Sequence, residues 1–307
     1  MLSGPVDELD AGLLRALETD GRAAVMKLAE QLGIARSTVH SRLTDLRERD
    51  AFRVVGLVDP AHLGRPVVVV FIIRIGGDPS HVLADIWALP EIAWAASMTD
   101  TTTVMAQGAF ESLSNASEFT DRSLRSHDDV WNVEPHVLTS VFNPTRTREA
   151  GPGHPWYTAA TPQPLDDLDL TIVRALQNDG RIAYSRLAEL TGLSIAAARQ
   201  RAVKLMSSGI VQVRTIVDPA ALGLAGVGVV CIRVRGDASA VTRELTRFED
   251  LHYVDQTLGT FPVLAEFHCR TLADLAERRR HVDALPTVSS TELLQLQESP
   301  VYGGSWV

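Results

Sequence analysis

Leu9, Leu13, Leu14 and Leu17 recur at helical spacing, and the pattern breaks at Asp20-Gly21. Val25, Leu28, Ala29 and Leu32 carry a second short helix closed by Gly33, and Val39, Leu43 and Leu46 form the apolar stripe of a third. Three short helices with a glycine turn between the second and third predict a helix-turn-helix. The period then changes. FRVVGLVDP alternates like a strand that ends at Asp59-Pro60, and VVVVFIIRI reads as a buried strand. PSHVLADIWAL is helical, IAWAASMT and TTVMAQG are short strands, a helix covers roughly 112–126, and HVLTSVF is a last strand. This β-α-β-β-α-β order is the ferredoxin-like split motif, so the predicted class is α+β: a helix-turn-helix followed by a ferredoxin-like domain.

The whole pattern then occurs again. LDAGLLRALETDGRAAVMKLAEQLGI, from Leu9, aligns without gaps to LDLTIVRALQNDGRIAYSRLAELTGL, from Leu168, an offset of 168 − 9 = 159. At that offset Asp20-Gly21-Arg22 meets Asp179-Gly180-Arg181, Arg42 meets Arg201, Val58-Asp59-Pro60 meets Val217-Asp218-Pro219, and Arg74 meets Arg233. The chain is read as a tandem duplication. The expected domains are a helix-turn-helix at 1–58, a sheet domain at 59–143, a linker at 144–164, a second helix-turn-helix at 165–217 and a second sheet domain at 218–307. The prolines and glycines between the halves block continuous structure, and Trp156 and Tyr157 suggest that part of the linker docks. Extended chain covers about 3.3 Å per residue, so this linker is long enough for the two sheet domains of one chain to pair as an intrachain pseudo-dimer. Further homo-oligomerisation is expected.

Length and composition fit this layout. Of the 307 residues 45% are hydrophobic and 22% charged, which is ordinary globular composition. No apolar run approaches the ~20 residues of a membrane span, and the N-terminus has no secretory pattern. Cys231 and Cys269 have no metal-type spacing and read as reduced thiols, so a cytoplasmic location is expected. His81, His127, His136, His154, His252, His268 and His281 also lack metal-ligand spacing. There is no phosphate loop, dinucleotide loop or nucleophile elbow. No cofactor, no metal and no enzymatic activity are expected.

The net charge of −9 averages over domains, whereas duplex DNA requires only a local basic surface. With the apolar stripe of each third helix turned inward, Arg36, Ser37, His40, Ser41 and Arg47 lie on the outer face of the first, and Ile195, Ala196, Arg199 and Gln200 on that of the second. Ser194 stands at an N-cap position, where the first half has Ala35. The N-terminal part of such a helix enters the major groove. His40, Ser41, Arg199 and Gln200 suit base edges, and Arg42, Arg201 and Lys204 suit phosphates. Because the two helices differ, unlike half-sites are expected.

The ordered set Leu9-Asp10, Asp20-Gly21-Arg22, Leu28-Ala29, Gly33, Arg42, Leu46, Val58-Asp59-Pro60 and Leu63-Gly64, with its repeat at the constant offset, resembles the Lrp/AsnC family of regulators. That resemblance implies a DNA-binding transcriptional regulator with winged helix-turn-helix heads, whose ferredoxin-like sensor domains pair by joining sheets and answer to an amino acid or related effector. The family's Thr-Gly-x-x-Asp turn is replaced by Thr99-Asp100-Thr101-Thr102-Thr103 in the first half and by Leu258-Gly259-Thr260-Phe261-Pro262 in the second. The analogous candidate effector residues are Thr99, Asp100 and Thr101, with Asp255, Thr257, Gly259 and Thr260. Gly259 is also expected from a tight turn with positive φ. Sirohaem decarboxylases resemble the same layout and carry a His-Asn-Tyr-type stretch in the third strand, where this chain has Ala93-Trp94-Ala95 and His252-Tyr253-Val254. An effector-independent architectural DNA-binding protein is the other alternative.

Overall fold

The computed structural model describes residues 6–142 and 164–297; the linker, with Trp156 and Tyr157, lies almost wholly outside them. Packing divides the chain into two units. One joins the two helical heads, ending at His62 and Gly223, and the other joins the two sheet domains that begin at Leu63 and Leu224.

In the first head α1 (Glu8–Thr19), α2 (Val25–Leu32) and α3 (Arg36–Glu48) bury Leu13, Leu14, Leu17, Leu28, Val39 and Leu46. Each such leucine contributes about 1.5–3 kcal/mol. The strand β1 (Phe52–Val58) follows. The first sheet domain consists of β2 (Val67–Ile75), α4 (Pro79–Trp87), β3 (Ile92–Ser97), β4 (Thr103–Phe110), α5 (Leu113–Phe119, prolonged by a π turn to Leu124) and β5 (Val130–Phe142). The second head consists of α6 (Asp167–Asn178), α7 (Tyr184–Thr191) and α8 (Ile195–Ser207), followed by β6 (Val211–Val217). The second sheet domain runs through β7 (Gly226–Val234), α9 (Ala238–Leu245), β8 (Leu251–Leu258), β9 (Val263–Cys269), α10 (Leu272–Asp283) and β10 (Val288–Gln295).

The strand after each third helix does not pair within its own repeat. β1 and β6 form a two-stranded antiparallel ribbon, in register from Phe52↔Val217 to Val58↔Val211. Each head therefore finishes its core with the other's strand. Val213, Val217 and Ala221 pack into the first head, and the Thr215 hydroxyl donates to the Leu17 carbonyl at 2.7 Å. On the other side, the Gly180 amide donates to the Val54 carbonyl at 2.7 Å. Gly180 must be glycine for this approach, because a Cβ there would stand 3.0 Å from the Val55 carbonyl carbon and 2.9 Å from Val213 Cγ1. The arginines of the two Asp-Gly-Arg turns complete the exchange. Arg22 donates to the Gly180 and Ile182 carbonyls, and Arg181 donates to those of Gly21 and Ala23.

The sheet unit is one eight-stranded sheet in the order β10-β7-β9-β8-β5-β2-β4-β3. Within each half the order is the fourth, first, third and second strand of a ferredoxin-like motif. β5 joins β8 between halves, with a bulge at Leu138/Ser140. At the far edges Met98 and Leu296 form a bridge, flanked by hydrogen bonds from Thr99 N to Gln295 O and from Gln297 N to Ser97 O. The halves are thus joined at both ends, and the two sheet domains of one chain touch, as the length of the linker allows. Their inner faces share one apolar layer that includes Val70, Ile72, Trp94, Met105, Val229, Phe261 and Leu264. Each outer face has a separate core under its own helices.

Candidate nucleic-acid interface

Ala35 leaves the start of α3 without a side-chain cap, whereas the Ser194 hydroxyl accepts the Ala197 amide at the start of α8. On α3, Arg36, Ser37, His40, Ser41 and Arg47 are exposed; on the second reader Ser194, Ile195, Ala196, Arg199, Gln200 and Lys204 are exposed. Five polar side chains on one helix and an exposed isoleucine among polar groups on the other give the two faces different chemistry. The Arg199 guanidinium lies 5.9 Å from the centre of the Tyr184 ring, which also carries Arg22 at 5.2 Å.

Arg42 and Arg201 sit differently from what their outward position suggests. The Arg42 guanidinium reaches Asp7 at 2.5 Å and Asp10 at 3.2 Å; Arg201 reaches Asp166 at 2.8 Å and Asp169 at 2.7 Å. Bonding to Asp7 raises the Arg42 pKa, and bonding to Asp169 raises that of Arg201. Asp7 and Asp166, which cap the first helix of each head, are held below the usual carboxylate range first by the backbone amides they accept and then by these arginines. Asp10 is buried, and burial pushes its pKa up. These two guanidinium groups fasten the third helix of each head to the first.

Two residues that sequence reasoning took only as repeat markers supply charge instead. Burial lowers the Arg181 pKa, and the like charges of Arg47 and Arg22 add to the effect, so three arginines converge where the heads meet. Their common Asp-Gly-Arg setting was the available signal.

The candidate effector turns are also placed. Asp100 accepts the Thr102 amide at 2.9 Å and the Thr103 hydroxyl at 2.7 Å, which closes the turn on itself with Thr101 at φ 58°. Arg74 donates to Thr103 Oγ1 at 2.6 Å and pairs with Glu292 of the other half. The Thr99 amide is taken by the Gln295 carbonyl. In the second half Thr257 donates to the Phe261 carbonyl at 2.6 Å, and Thr260 is exposed. Asp255 is desolvated by its surroundings and lies near the Glu266 carboxylate, which together push its pKa up to about 8. Gly259 corrects an expectation, since it is not among the positive-φ glycines. It is required by close approach: a Cβ would lie 2.7 Å from His136 Cδ2. His136 is buried, stacks on Phe261 at 5.7 Å, and is held below its ordinary pKa by that burial.

The histidines without metal spacing in sequence are grouped by the fold. Donor atoms of His252, Glu266 and His268 lie within 4.8 Å of one another, as do those of the more exposed His81, Asp85 and His127. Among the described residues no helix is long and apolar enough to cross a membrane.

The AsnC-type helix-turn-helix domain matches this chain twice, at residues 6–47 and 165–206. The chain carries two AsnC-type helix-turn-helix domains, one in each repeat. An HTH-type transcriptional regulator of Pyrococcus horikoshii, FL11, is 28% identical to this chain over 133 residues, which are 43% of this chain and 88% of the relative. Its counterpart in Pyrococcus furiosus is 26% identical over 132 residues, 42% and 87% of the two chains. Each relative therefore spans about one repeat of the tandem protein. A solved structure of the siroheme decarboxylase NirDL covers 95% of this chain and 91% of its own, with a TM-score of 0.63 at 15% identity. A second structure of that enzyme, in complex with an iron-uroporphyrin III analogue, matches equally. This likeness shows that the chain shares the two-repeat fold of that structure.

Proposed function

We propose that this protein is a sequence-specific DNA-binding transcriptional regulator, without enzymatic activity, in which one chain supplies both readers. The observation that carries the reading is the pair of AsnC-type heads, joined through a shared ribbon and each presenting the outer face of its third helix. Arg36, Ser37, His40, Ser41 and Arg47 contact DNA from the first head; Ser194, Ala196, Arg199, Gln200 and Lys204 do so from the second. Arg199 and Gln200 read base edges, arginine suiting guanine and glutamine adenine. Arg42 and Arg201 are left out of this set because each is already committed to two carboxylates. The sheet unit acts as sensor and assembly domain, with an amino-acid-like effector near Thr99, Asp100, Thr101, Asp255, Thr257, Gly259 and Thr260, and pseudo-dimers of one chain associate further.

The test is a shift assay on the protein's own upstream region at low salt. Wild type binds, and Arg199→Ala weakens binding several-fold. Failure of the wild type to bind overturns the regulator reading, and an unaffected Arg199→Ala variant overturns the placement of the second reader.

A second reading, an enzyme of the sirohaem decarboxylase layout, is favoured by the fold match over both repeats and by His252-Tyr253 in β8. The first repeat has Ala93-Trp94 in its place. A haem-type absorption band in a titration with an iron tetrapyrrole supports that enzyme, and no band excludes it.

A further inference from the structure

The offset of 159 residues extends beyond the heads and exposes a chemical difference inside the sheet unit. At the positions where β8 and β9 carry His252, Asp255, Glu266 and His268, β3 and β4 carry Ala93, Ala96, Gln107 and Ala109. The backbone is the same in both. Leu251 pairs with Phe267 and Tyr253 with Glu266, so His252 is the extra residue of a bulge; Ile92 pairs with Gly108 and Trp94 with Gln107, which makes Ala93 the matching bulge residue. A bulge re-aims the side chain it carries, and only the second half equips it with an imidazole. Alternation places Leu264, Glu266 and His268 on one face of β9, opposite Val263, Ala265 and Phe267, which pack under the helices. His268 Nε2 lies 2.7 Å from Glu266 Oε1, and the His252 and His268 rings stack with centres 3.9 Å apart.

We propose that His252, Glu266 and His268 form a binding site for a divalent first-row transition metal ion of the zinc type. Two imidazoles and a carboxylate are a common donor set for such ions. Here their donor atoms already lie within 4.8 Å of one another in a partly buried setting. A bound ion needs donors about 2.0–2.2 Å from itself, which the partly buried side chains reach by small rotations. Burying two acids and two imidazoles costs stability unless they are compensated. The first half shows that the fold itself needs none of them, and a bound cation compensates their burial. The site does not depend on DNA binding, and its test uses no DNA.

The test is a titration of the full-length, chelator-treated protein with Co(II), followed by visible d–d absorption, with Zn(II) affinity measured by competition against a chromogenic chelator. The expected result is stoichiometric binding that His252→Ala and His268→Ala each weaken at least tenfold. These substitutions install the residues of the first half, and circular dichroism checks that the fold is kept. Glu266→Gln, likewise the first half's residue, weakens binding too, and His127→Ala in the exposed cluster leaves it unchanged. The proposal is overturned if wild type binds no tighter than the His252→Ala/His268→Ala double variant, or if His127→Ala is the substitution that abolishes binding.

Discussion

Arg42 and Arg47 stand five positions apart on one helix, yet the first is bound to Asp7 and Asp10 and the second is exposed. A lysine or arginine on a phosphate contributes about one unit to the salt slope of binding. Arg47→Ala is therefore expected to lower the slope of log affinity against log salt by about one, while Arg42→Ala leaves the slope unchanged. Titrations at several salt concentrations decide this, and a reduced slope for Arg42→Ala returns that residue to the DNA. The partners of Arg42 lie 35 and 32 residues away in sequence, so its spacing on the helix could not separate a phosphate ligand from an internal brace. Gly259 makes a second test at this scale. Gly259→Ala drives a methyl into the His136 ring and is expected to cost about 1–3 kcal/mol, measured by denaturant unfolding. Pairing it with His136→Ala recovers part of the loss, and additivity of the two changes contradicts the steric explanation.

At the level of elements, His136 on β5 ties the first half to the turn between β8 and β9 of the second, beneath Phe261. Burial lowers its folded pKa, and its Nε2 has no hydrogen-bond partner among the described residues. The unfolded chain therefore takes up a proton first as pH falls. The stability this histidine permits is complete above the ordinary histidine value of about 6.5 and declines as pH drops below it. Asp255, raised to about 8, adds stability as pH falls through the same window, so the histidine's part is read from the difference between wild type and His136→Leu. Between about pH 7.5 and 5.5 the wild type is expected to fall relative to the variant by on the order of 1 kcal/mol, and an unchanged difference in denaturant melts counts against this origin. Element order was legible because helical spacing survives in Leu9, Leu13, Leu14 and Leu17 and strand alternation in FRVVGLVDP, together with their repeats. Partner choice was not. A strand such as Val211–Val217 shows the same alternation whether it pairs with a neighbour or with Phe52–Val58. The cluster at His252, Glu266 and His268 was invisible for a related reason, since a two-residue spacing and a fourteen-residue gap become one site only through strand register and a bulge.

For the molecule as a whole, duplication places inside one chain the pairing that two separate copies would otherwise supply. Residues 1–142 alone contain the first head and the first sheet domain but lack β6 and β8, so both β1 and β5 present an unpaired edge. This fragment is expected to self-associate through those edges or to be insoluble. A folded monomer at micromolar concentration, seen by light scattering, refutes the exchange as a source of stability. The repeat announced this architecture, since it fixed two heads and two sheet domains before any coordinates. With the length of the linker it also led to the pairing of the two sheet domains within one chain, but it did not show that the heads would exchange strands.

The ribbon also constrains how the protein is made. The first head needs Val211–Val217, while its own strand ends at Val58, so 217 − 58 = 159 further residues must emerge before its core is covered. At about 5–20 residues per second, the ribosome holds Leu13, Leu14, Leu17 and their neighbours without their lid for roughly 8–32 s. During that interval the nascent chain offers a ready surface to chaperones and to the identical heads emerging on adjacent ribosomes.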